Sequence, residues 1–108
     1  MSDAVVFMER QGTLTARIGR DIDHHTQASL RREIDERMFS WRPKILVLDF
    51  GSVGFMDSSG IALILGRCEA AAKIGASVRL VGMSPQLMKL VNLSGLLRIR
   101  NLSCSLGM

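Results

Sequence analysis

The sequence predicts a single α/β domain: a mixed, mostly parallel sheet that opens with a β-hairpin and has helices packed against it. Three observations carry that prediction. Segments of two-residue apolar period alternate with segments of helical period along the chain. The run Ile45–Phe50 (ILVLDF) is almost continuously apolar and includes β-branched residues, the pattern of a strand buried on both faces of a parallel sheet. The chain has 108 residues, 47% of them hydrophobic and 22% charged, which suits one modest core and excludes separate substrate and cofactor domains.

Ala4–Glu9 (AVVFME) reads as a short strand. Gln11 and Gly12 mark a turn, after which Leu14, Ala16 and Ile18 alternate with polar residues, so a hairpin is the economical reading. Asp21–Thr26 (DIDHHT) is a polar loop. From Thr26 to about Ser40, Leu30, Ile34 and Met38 recur every four residues among charged ones, as in an amphipathic helix. Pro43 prevents its continuation.

The strand at Ile45–Phe50 is followed by a glycine-containing loop and a second helix over Asp57–Gly75, with an apolar stripe at Ile61, Ile64, Leu65, Cys68, Ala71 and Ala72. Asp57 or Ser58 is its natural N-cap, because either side chain can accept a free backbone N–H. Gly60 and Gly66 are poor helix residues, at about 1 kcal/mol each relative to alanine, so close packing against a neighbour or a partner is expected to justify them. Val78–Val81 is the next strand. Ser84 and Pro85 start a third helix with Leu87, Leu90 and Val91 on its apolar face, and Gly95 ends it. Arg98–Arg100 is expected to be the last short strand, with the final eight residues or so (NLSCSLGM) a truncated or unstructured tail. The whole of 1–108 is read as one domain.

Charge and composition narrow the function classes. The net charge of +4 comes entirely from residues 55–108, which hold 6 basic and 2 acidic residues, while 1–54 hold 8 of each. The excess is scattered and aromatic residues are few, so a nucleic-acid binder is not expected. An acidic protein partner suits the distribution better. No apolar run approaches the ~20 residues of a membrane-spanning helix. The N-terminus MSDAVVFMER lacks a basic segment before its apolar one, so the protein is expected to be cytoplasmic, without membrane contact. The two cysteines, Cys68 and Cys104, lie in no CxxC pair and read as small apolar residues.

Few residues offer catalytic chemistry. His24 and His25, flanked by Asp21 and Asp23, could touch a metal ion, but adjacent residues seldom converge on one ion and no third ligand at zinc-site spacing is visible. Ser58 or Ser59 could be a nucleophile with a histidine recruited by folding, yet FMDSSGI lacks the first glycine of a GxSxG elbow. No glycine-rich phosphate loop is present, and neither a cofactor nor a metal is expected. The more informative feature is the position of Ser58: it follows a buried strand and opens a helix, at the carboxyl end of the sheet where binding sites collect. It can be a helix cap or an exposed hydroxyl for another protein to modify.

Three stretches then carry a family resemblance over most of the chain: GRDIDHHT (Gly19–Thr26), FMDSSGIALILGR (Phe55–Arg67) and VGMSPQLMKLVNLSGLLRI (Val81–Ile99). Together they resemble a STAS domain of the anti-sigma factor antagonist class. The resemblance implies a STAS-like fold and a regulator without catalysis of its own. It implies an unphosphorylated form that binds an anti-sigma factor, itself a serine kinase of the histidine-kinase-like ATPase type, and so releases the sigma factor. It places the phosphorylation on Ser58, with a PP2C-type phosphatase reversing it. Asp23 matches a family aspartate that orients the serine or contacts the kinase. Asp57, Ser59 and Gly60 are implied at the partner surface. The family's usual acidic residue after the second strand's glycine is Arg20 here, and its usual C-terminal helix is replaced by NLSCSLGM. Two alternatives stay open: a STAS module in a stress-sensing or transport complex without a sigma factor, and a small Ser58-dependent hydrolase.

Overall fold

The computed structural model describes residues 4–105. Two strands, β1 (Val5–Arg10) and β2 (Thr13–Ile18), precede helix α1 (Gln27–Trp41). Strand β3 (Ile45–Asp49), helix α2 (Ser58–Lys73), strand β4 (Ser77–Val81) and helix α3 (Pro85–Ser94) follow, then a 3-10 turn at Leu96–Arg98 and strand β5 (Leu102–Cys104). The five strands lie in sequence order. β1 and β2 are antiparallel, and every later pair is parallel. The hairpin turns on Gln11 and Gly12, at φ of 50° and 82°, the double left-handed conformation whose twist matches the flanking strands.

The sequential order decides where the core lies. Parallel crossovers are right-handed, so three of them running in one direction put their helices on one face. Leu14, Ala16, Leu46, Leu48, Val78 and Leu80 are buried on that face. They share one cluster with Leu30, Ile34 and Met38 of α1, Leu63, Ile64 and Cys68 of α2, and Leu87 and Val91 of α3. The other face has no helix. Val6 and Met8 are 60% and 65% exposed there, and Arg17 and Arg79 are exposed as well.

β3 is buried on both faces, as expected, but by different means: Leu46 and Leu48 join the core beneath the helices, whereas Val47, 8% exposed, lies on the helix-free face between Thr15 and Arg79 in the register. Two expectations need correcting. The apolar stripe of α2 runs through Leu63, Ile64, Cys68 and Ala71, while Leu65 and Ala72 are exposed. The last strand is not Arg98–Arg100. Leu96 is buried by the 3-10 turn, which carries the chain three residues further before Leu102 pairs with Val78. Residues 101–105 therefore belong to the sheet and are not a tail. Asn101 secures the junction by donating to the carbonyls of Cys68 (3.0 Å) and Ala76 (3.2 Å). Residues 106–108 of the expected tail lie outside the described residues.

Two buried groups carry energetic consequences. Arg67 on α2 is 4% exposed, with its Nε 2.7 Å from Asp35 Oδ1 on α1. The approach lacks hydrogen-bond alignment, and Arg67 Nη1 has no partner among the described residues. Burial pushes the Asp35 carboxyl up despite the attraction of Arg67, and burial likewise lowers the guanidinium. Burial also pushes the Cys68 thiol up to about 11. Cys104 is half-buried and raised by the same cause, its Sγ 3.6 Å from Met88 Sδ. Since the thiolate is the reacting form, iodoacetamide at neutral pH is expected to modify Cys104 slowly and Cys68 only after denaturation. Peptide mass spectrometry checks this, and equal native rates at both sites would contradict the packing of α2.

Candidate functional site around Ser58

The loop between β3 and α2 and the loop between β2 and α1 meet at the carboxyl ends of the strands. They are joined as a short parallel ladder: the Ile22 N–H donates to the Phe55 carbonyl (3.0 Å), and the Asp57 N–H donates to the Ile22 carbonyl (3.2 Å). Asp21 pins the same junction. Its Oδ1 accepts from the backbone N–H groups of Gly54 and Phe55, each at 3.1 Å. From below, Gly82 packs the β4 end against the loop: at φ of 72°, a Cβ there would lie 2.7 Å from Asp49 Oδ1 and 2.8 Å from the Gly51 nitrogen. Only glycine suits that place.

Asp57 is the cap of α2, its carboxylate accepting from the Ser59 N–H at 2.7 Å. Its own carbonyl accepts from the Gly60 N–H at 2.9 Å. Ser58 is thereby released from capping. It is exposed, and its hydroxyl has no hydrogen-bond partner among the described residues. Ser59 is half-buried.

Gly60 is buried, and the Met56 side chain lies where its Cβ would be, meeting it through Cγ and Sδ. Gly66 has open space around the corresponding position. The two helix glycines therefore predict opposite outcomes. Gly60→Ala should lose about 1–3 kcal/mol by overpacking, offsetting any gain in helix propensity. Gly66→Ala should gain up to about 1 kcal/mol. Urea unfolding decides, and two equal gains would exclude the Met56 packing as the reason for Gly60.

Asp23 lies one residue beyond the ladder and closes its own turn. Its Oδ1 accepts from the N–H groups of His25 (2.8 Å) and Thr26 (3.0 Å), and Thr26 Oγ1 accepts from the Asp23 N–H (3.1 Å). The His25 N–H holds the Asp23 carboxyl below its ordinary value. No hydrogen bond links Asp23, His24 or His25 to Ser58 among the described residues. The histidine rings pack against each other, with centroids 3.9 Å apart, and no group of three or more metal-ligating side chains is gathered among the described residues.

An apolar surface adjoins Ser58. Ile61 and Leu65 of α2 face Leu90 and Leu93 of α3 across a groove that begins at Ser58, and Phe55 extends it. Leu93 is 77% exposed and Phe55 54%. The loop-holding role of Asp21 and this groove are not evident from the sequence. The available signal was the surplus of leucines on α2 and α3 beyond what one buried stripe needs.

The model of the STAS domain family matches residues 4–107. The chain belongs to the STAS domain family. Within it, this STAS domain is similar to the anti-sigma F factor antagonist of Paenibacillus polymyxa, 33% identical over 89 residues, which is 82% of this chain and 76% of that protein. Among solved structures it resembles the anti-sigma factor antagonist SpoIIAA in its unphosphorylated form, with a TM-score of 0.67, 27% identity and 83% of each chain covered. It also resembles the Bacillus cell fate determinant SpoIIAA in the phosphorylated form, with a TM-score of 0.69, 27% identity and 94% and 91% covered. No described helix of this STAS domain is long and apolar enough to cross a membrane.

Proposed function

We propose that this STAS domain is a cytoplasmic anti-sigma factor antagonist switched by phosphorylation at Ser58. Unphosphorylated, it binds an anti-sigma factor that is also a serine kinase of the histidine-kinase-like ATPase type, and the sigma factor is released. The kinase transfers the γ-phosphoryl group of ATP to Ser58 Oγ; the hydroxyl proton is lost and ADP leaves. A PP2C-type phosphatase hydrolyses the phosphoester and restores the binding form. The domain supplies no catalytic group and needs no cofactor.

The observation that carries this reading is the free, exposed Ser58 hydroxyl beside an apolar groove, with the capping duty taken by Asp57. Ser59 and Asp57 flank the modified residue and contact the partner. Gly60 shapes the first turn through Met56, and Asp23 holds the neighbouring loop in register while its outer oxygen faces the kinase. Support also comes from relatives named for the antagonist function and from a similar protein known in both phosphorylation states.

The test is capture from native lysate with Ser58→Ala and Ser58→Asp baits, followed by reaction of the wild type with the captured ATPase and ATP. The expected result is an ATPase retained by the alanine bait only, and phosphate mapped to Ser58 and removed by a PP2C-type phosphatase. Identical capture by both baits, or phosphate at another residue, would overturn the reading.

A further inference from the structure

The helix-free face of the sheet is unaccounted for by the Ser58 site, which lies among loops and helices at one end. Rows across that face follow from the register: Met8 beside Thr15, Val47 and Arg79, and Val6 beside Arg17 and Asp49. Its apolar part is exposed along β1, where Val6 and Met8 are the most open large hydrophobic residues of the sheet, while Val47 is buried beside them. Its charge is one-sided. Arg10, Arg17 and Arg79 are exposed and make no ion pair among the described residues, whereas Asp49 is the one acid of these rows and already accepts from the Gly51 N–H at 2.8 Å. A solvated sheet face is ordinarily polar along its outward positions. Here an apolar strip is bordered by cations that form no ion pair among the described residues.

We infer that this face is a second docking surface, for a protein partner that brings carboxylates around an apolar centre. The charge selects that occupant. In a twofold contact between copies of this chain, arginines would face arginines. Three arginines fall short of the 4–8 basic residues typical of anionic lipid recognition. No aromatic side chain stands on these rows to stack a base. An acidic protein surface pairs with Arg17 and Arg79 while covering Val6 and Met8. The surface is distinct from Ser58, so its occupancy is independent of the phosphorylation switch.

The experiment places a photo-crosslinking benzoylphenylalanine at Met8 in the full chain, in cells of the source organism, and identifies adducts by mass spectrometry. The adduct protein is then purified and titrated against wild type, Arg17→Glu/Arg79→Glu, Arg17→Ser/Arg79→Ser and Ser58→Asp, each first shown to melt as the wild type does. The expected result is one protein whose affinity falls at least tenfold with charge reversal, falls less with serine, is unchanged by Ser58→Asp, and is restored when its own carboxylates are changed to lysine opposite the reversed pair. Adducts only with copies of this chain, with lipid or with nucleic acid would overturn the inference. So would no adduct, or affinity indifferent to Arg17 and Arg79. Because Ser58→Asp is measured separately, failure here leaves the Ser58 reading untouched.

Discussion

Ser58→Asp is expected to weaken binding of the anti-sigma kinase by about a hundredfold, equivalent to roughly 3 kcal/mol at 1.4 kcal/mol per decade. The helix N-terminus attracts an anion there by only about 0.3–1 kcal/mol when exposed. Against it stand Asp57 next in sequence and the groove of Ile61, Leu65, Leu90 and Leu93, where a partner must exclude water from the new charge. Ser58→Ala should bind like the unmodified protein, because the hydroxyl holds no contact that the fold needs. Leu93→Ser should also weaken binding, at little cost to stability, since that side chain is 77% exposed. Calorimetric titration of the purified kinase checks all three. An unchanged affinity for Ser58→Asp would remove the electrostatic basis of the switch.

The second large effect concerns stability. Replacing the Asp35–Arg67 pair by Leu and Met together is expected to stabilise the fold by about 1–4 kcal/mol, the gain seen when a buried ion pair gives way to apolar side chains of similar volume. The pair is close, at 2.7 Å, but poorly aligned, and Arg67 Nη1 remains buried without a partner. Both groups are shifted by burial against their charged forms. The sign of the pH dependence follows. Asp35 has a folded pKa above its ordinary 3.8, so the folded state takes up its proton more readily than the unfolded chain. Its contribution to stability is complete below 3.8 and is lost as pH rises through the folded value. Wild type should therefore gain on Asp35→Asn as the solution is acidified across that interval. Denaturant unfolding at several pH values decides, and a double replacement less stable than wild type would show the pair to be a net stabiliser.

The sequence was most legible where a local rule and the global fold agreed. Gln11 and Gly12 announced a tight hairpin, Ser84 and Pro85 the start of α3, and the four-residue recurrence of Leu30, Ile34 and Met38 the buried face of α1. It was least legible where the deciding contact came from a distant segment. Leu102–Cys104 is too short to show a period and becomes a strand because Val78, Arg79 and Leu80 offer it an edge. Val47 reads as core by composition and is buried, yet all three crossovers turn to the opposite face, so no helix covers it and it stands apart from the main cluster.

The candidate site divides in the same way. DSSG before an apolar run specifies a capped helix start, because the first backbone N–H groups need an acceptor that aspartate or serine supplies. Either residue satisfies that need locally. Tertiary structure made the choice: with Asp21 and Ile22 holding residues 54–57 in place, the carboxylate of Asp57 reaches the Ser59 N–H and the Ser58 hydroxyl is left over. The sequence by itself thus determined the element order, the turn chemistry and the location of a helix start at the end of a strand, since those follow from dihedral preferences and apolar period. Only the tertiary structure decided which hydroxyl is free, which leucines stand in the open and which sheet face is bare, since those depend on the layers that distant segments form.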